Sequence, residues 1–124
     1  MAHTFQSTTF RILVASSILA SALTGTAFAD RSTDLQVQIH DLSEQAGQYE
    51  AAGSRAENAG DRTSACNAYR NAASAWRDAA SAGTSLIVET MNDGTLDPDT
   101  VNENVHIMAN NAEADDQSAA KFCD

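Results

Sequence analysis

Residues 62–91, RTSACNAYRNAASAWRDAASAGTSLIVETM, place small or apolar side chains at Ala65, Tyr69, Ala72, Trp76, Ala79, Gly83 and Leu86. The spacing alternates four and three without a break, the period of an α-helix that lays one stripe lengthwise against another helix. Cys66, Ala73, Ala80 and Ile87 widen the stripe. Gly83 costs about 1 kcal/mol relative to Ala inside a helix, so it marks either a kink or a place where a neighbour comes close.

On the N-terminal side the same alternation runs through Leu35, Ile39, Leu42, Ala46, Tyr49, Gly53 and Ala56, with Asp34, Asp41, Glu44, Glu50 and Glu57 off the seam. It predicts a first helix over 33–59. Gly60-Asp61 then supplies a stop and an N-cap. On the C-terminal side Asn92-Asp93-Gly94-Thr95-Leu96 reads as a linker. Asp97 is a predicted N-cap, and Pro98 sits at the first helical position, where its missing N–H is harmless. Asp99 and Glu103 suit the helix dipole. The third helix, 98–122, has the seam Val101, Val105, Met108, Ala112, Ala119 and Phe122, interrupted at Asp115. That residue is a rim position, an ion-pair partner for Arg62, Arg70 or Arg77, or the mark of a binding face.

Three helices joined by short turns must alternate up, down, up. The expected fold is all-α: an antiparallel three-helix bundle with left-handed, coiled-coil-like packing. Cys66 opens the second helix and Cys123 closes the third. Those ends meet in an antiparallel pair, so a Cys66–Cys123 disulfide is predicted and an oxidising compartment with it. Large apolar side chains are few, and the disulfide or a partner is expected to make up the stability that the core lacks.

The N-terminus explains the compartment. A polar stretch ends in Arg11, an uncharged apolar run follows over 12–24 (ILVASSILASALT), and Ala27-Phe28-Ala29 precedes Asp30. This is the three-part pattern of a signal peptide cleaved between Ala29 and Asp30; the run is too short to span a bilayer. The expected domains are a signal peptide, 1–29, and one helical domain, 30–124. A leader this short points to a bacterial chain, and so to the periplasm or the medium.

The mature segment carries six basic residues against seventeen acidic ones, a formal charge of −11. Phosphate backbones and anionic lipid surfaces are repelled by it, so nucleic acid is not an expected partner. A basic protein or a cation would be attracted.

Tyr49–Arg77 resembles a tetratricopeptide repeat, a helix-turn-helix unit. The resemblance is carried by Tyr49 and Gly53 in the first helix, Gly60-Asp61 at the turn, and Ala65, Tyr69 and Ala72 in the second. It covers one unit only. Ala52 and Ala56 stand where the pattern has larger apolar residues, and Arg77 stands near its closing proline. The resemblance implies protein–protein interaction.

Catalytic and metal motifs are missing. His40 and His106 lie in neither H-x-x-x-H nor H-E-x-x-H spacing. The run Asp93-Gly94-Thr95-Leu96-Asp97-Pro98-Asp99 alternates oxygen ligands but lacks the central Gly and closing Glu of a calcium loop. No G-x-S-x-G or S-x-x-K occurs, and the pairs Asp97/Asp99 and Asp115/Asp116 have no evident pocket. No catalytic residue, metal or cofactor is expected. The expected function is that of an exported, non-enzymatic protein that binds another protein as adaptor, inhibitor or envelope component. Asp115, Tyr49, Tyr69 and Trp76 are its candidate interaction residues, and a homodimer stays open. The alternative is a binder of cations or a small ligand through acidic side chains.

Overall fold

The computed structural model describes residues 30–124. They form three helices: α1 (Asp30–Asn58), α2 (Arg62–Asp93) and α3 (Pro98–Ala120). The signal-peptide reading of residues 1–29 lies outside the described residues.

Local chemistry sets the boundaries. Gly60 takes φ +74°; its N–H donates to the Glu57 carbonyl, and that of Asp61 to the Ala56 carbonyl. These two bonds satisfy the last carbonyls of α1. The Asp61 carboxylate then accepts from the Ser64 N–H and hydroxyl at 3.1 and 2.7 Å, capping α2. Gly94, at φ +67°, donates to the Thr90 carbonyl and ends α2. Asp97 caps α3 through the Asp99 N–H and the Thr100 hydroxyl, with Pro98 beginning the helix. The sequence places the end of α3 at 122, but the helix stops at Ala120. Phe122 and Cys123 both turn their N–H groups back to the Ala119 carbonyl, which brings Cys123 to Cys66.

The chain forms the expected all-α three-helix bundle. α2 is its central rod, in close backbone contact with α1 on one side and α3 on the other. Every seam residue of α2, from Ala65 to Leu86, is buried. So are Ala68, Ala75 and Ala82 on one flank of that seam, and Cys66 and Ala73 on the other. Small side chains on both flanks let two neighbours approach one helix. Each interface has a glycine at a close approach. A Cβ on Gly53 would lie 2.9 Å from the Tyr69 ring, and one on Gly83 would lie 2.6 Å from Val105 Cγ2. Gly83 therefore marks a close approach.

The outer helices α1 and α3 run parallel. Beside the α1 seam, Gln36, Ser43 and Glu50 recur every seven residues and are buried; beside the α3 seam, so do Asn104, Asn111 and Ser118, buried or half-buried. Each outer helix thus carries a polar flank beside its apolar seam.

Apolar packing divides into two clusters. The larger includes Leu35, Ile39, Trp76, Leu86, Val101 and Met108. The smaller joins Ala65, Tyr69 and Ala119 to Ala56, Phe122 and Cys123. The Cys66–Cys123 disulfide, with Cα atoms 5.0 Å apart and a sequence separation of 57, closes the second cluster.

Candidate functional site

The most unusual chemistry lies between the two clusters. Glu50 follows Ala46 of the larger cluster and precedes Ala56 of the smaller; Asp115 lies between Ala112 and Ala119 in the same way. Their exposures are 1% and 0%. Burying a carboxyl costs free energy unless it is hydrogen-bonded. Glu50 accepts from Trp76 Nε1–H at 2.8 Å. Two turns further along α1's polar flank, Glu57 accepts from the Tyr69 hydroxyl at 3.2 Å. Burial first, and then the Glu57 carboxylate, push the Tyr69 phenol above its ordinary range. Tyr69 therefore remains a neutral donor.

The residues singled out in the sequence fall as follows. Tyr69 and Trp76 are buried in the bundle and Tyr49 is half-buried. Asp115 is no rim residue: it occupies the seam position that its spacing gives it, fully inside. Arg77 pairs instead with the next residue, Asp116, and Arg62 donates to the Lys121 carbonyl at 3.0 Å while its guanidinium lies 5.9 Å from the Phe122 ring centre. Glu50 lies off the seam as its spacing gives it, yet it is buried as a core residue, which the spacing did not indicate. The missed signal was the seven-residue polar repeat that it shares with Gln36 and Ser43. Within that buried polar set, Gln36 Oε1, Ser43 Oγ and Asn111 Nδ2 have no hydrogen-bond partner.

Surface grooves are present among the described residues, and two of them bear on this question. One follows α1 at Asp41, Leu42, Glu44, Gln45 and Gln48; the other runs between α2 and α3 at Arg77, Ala80, Ala109, Ala112, Glu113 and Asp116. Neither is lined by Glu50 or Asp115, so the two buried carboxyls do not face a substrate in these grooves.

Among the described residues, His40, Asp41 and Glu44 place one ligand atom each within 4.8 Å of one another on a single turn of α1. His106, exposed on α3, is not part of this group. The linker acids serve the backbone. Asp93 accepts from Ser32 Oγ at 2.6 Å and from both the N–H and hydroxyl of Thr95, and Asp97 caps α3. No helix among the described residues is long and apolar enough to cross a membrane.

Comparisons with protein-family models, with characterised proteins and with solved structures return no match to this chain.

Proposed function

We propose that the chain is an exported, non-enzymatic helical protein that works by binding another protein. The observation that carries this reading is where its reactive groups lie. The carboxyls held in an apolar setting are sealed in the interior, away from both grooves, while the surface is acidic and carries exposed Val37, Val88 and Met91. Such a surface has the means to recognise a partner and lacks an evident means to transform a substrate. The tetratricopeptide-like pattern of Tyr49–Arg77 adds support, because two of the residues that carry it, Gly53 and Tyr69, pack together between α1 and α2. Export fits the disulfide. The test has two parts. Mass spectrometry of the secreted or periplasmic form should find a chain starting at Asp30 and lacking two hydrogens at the cysteines. Immobilised oxidised protein should then retain a specific partner from envelope extract; an empty eluate at both low and moderate salt would sink the binding role.

A second reading, cation binding, rests on His40, Asp41 and Glu44. Imidazole with two carboxylates is a donor set suited to zinc or copper. A ligand that binds the native state raises the melting temperature. Zinc or copper should raise it in the parent chain and leave a His40→Ala variant unmoved; an equal response in both would remove the reading.

A further inference from the structure

The bundle is polarised. Arg31 bonds Glu89 at 2.9 Å and Ser32 bonds Asp93 at 2.6 Å, which ties the start of α1 to the end of α2. The start of α3 follows within a short linker, so these three segments share one end of the molecule. The half of the molecule nearest that end exposes Asp34 and Asp41 from α1 and Asp97, Asp99 and Glu103 from the linker and α3. Its single basic residue, Arg31, is engaged with Glu89. The other five basic residues of the described chain, Arg55, Arg62, Arg70, Arg77 and Lys121, all lie in the opposite half.

The exposed large apolar side chains lie at this same acidic end. Val88 is 56% and Met91 71% exposed, and three residues apart they stand on one face of α2. Val37, the third exposed large apolar residue, is on α1. Apolar side chains left in water within a field of uncompensated negative charge fit a ligand that supplies both complements. An anionic partner would be repelled, and a neutral one would leave the charge unused.

We propose that the acidic end, centred on Val88 and Met91, docks a basic amphipathic helix of another protein, its apolar face on these two side chains and its lysines or arginines towards Asp99 and Glu103. This assignment rests on the protein-binding reading and names the surface and partner chemistry for it.

The test uses the oxidised mature chain and a short labelled leucine–lysine peptide with its leucines on one helical face. A second peptide of equal charge has serine in place of leucine. The leucine–lysine peptide should bind, and the serine peptide should bind about tenfold more weakly. The double change Val88→Ser/Met91→Ser should weaken binding of the first peptide about tenfold, and Asp99→Asn/Glu103→Gln about threefold with a shallower salt dependence. A charge-matched control away from these side chains, Asp78→Asn/Glu113→Gln, should have little effect. Circular dichroism checks that each variant stays folded. No binding of the peptide, equal affinity for the Val88/Met91 variant, or an equal loss in the control would overturn the assignment. The two readings fail separately. If the Val88/Met91 variant still retains the same envelope partner as the parent, the surface is wrong and the binding role survives.

Discussion

At the scale of single residues, this fold depends on atoms that are absent. Gly83 lets Val105 come close enough that a methyl group would sit 2.6 Å from its Cγ2 and 3.2 Å from Met108 Cε. Valine is stiff at χ1 in a helix and cannot easily swing aside. Gly53 faces the Tyr69 ring at 2.9 Å, and the hydroxyl of that ring is held by Glu57. Alanine would favour the helix by about 1 kcal/mol, yet overpacking costs about 1–3 kcal/mol. Gly83→Ala should therefore lower the urea midpoint, and Gly53→Ala should lower it less; a rise at Gly83 would show that the helices can separate without loss. The opposite sign is expected at Ser43. Its hydroxyl is buried with no hydrogen-bond partner, and Ser43→Ala removes that burden for a gain of about 1 kcal/mol. An unchanged or lower midpoint would mean that the hydroxyl is satisfied.

At the scale of elements, the helix ends carry the pH dependence. Hydrogen bonds from the Ser64 hydroxyl and then the Ser64 N–H hold Asp61 below the ordinary carboxylate range. Ser32 and then Thr95 do so for Asp93, and the Thr100 hydroxyl followed by the Asp99 N–H for Asp97. A carboxyl whose folded pKa lies below its unfolded one binds fewer protons when native, so stability rises with pH across that interval. The contribution is complete above about pH 4, the unfolded value, and is lost as pH falls through the lowered folded values. Replacing Asp93 with Asn should lower the melting temperature at neutral pH and leave a smaller difference from the parent in acid. Melts from neutral to acid pH give the answer, and a gap that widens in acid would reverse the assignment. These caps were legible in the sequence because Gly60-Asp61 and Asp97-Pro98 are local signals that need no neighbour. The stop of α3 at Ala120 was not, because the disulfide and the Phe122 packing draw the last residues out of the helix.

At the scale of the whole molecule, the bundle has a larger apolar cluster at the acidic end and a smaller one closed by sulfur, with Glu50 and Asp115 between them. Cross-linking residues separated by 57 positions restricts the unfolded chain by about 4 kcal/mol in the chain-entropy picture. Reduction, or a Cys66→Ser/Cys123→Ser variant, should give a large fall in the urea midpoint. Trp76 is the single tryptophan of the chain and is 1% exposed, so its fluorescence reports on the layer where the two clusters meet. Its emission should move to longer wavelength in the same transition as the loss of helix. A variant without the disulfide that melts at the parent's midpoint would show that the second cluster holds without the bond.

The sequence by itself determined the three helices, their antiparallel order, the seam that each one buries and the pairing of Cys66 with Cys123. All of these follow from spacings along the chain, and spacing is a property of the chain alone. Only the tertiary structure decided that Glu50 and Asp115 are interior, that Gly83 is a point of contact, and that the acids and exposed apolar residues gather at one end. The physical reason is that a position beside a helical seam faces water or protein according to what packs there. The flank holding Gln36, Ser43 and Glu50 becomes interior only when the helices pack, with Trp76 of α2 against Glu50.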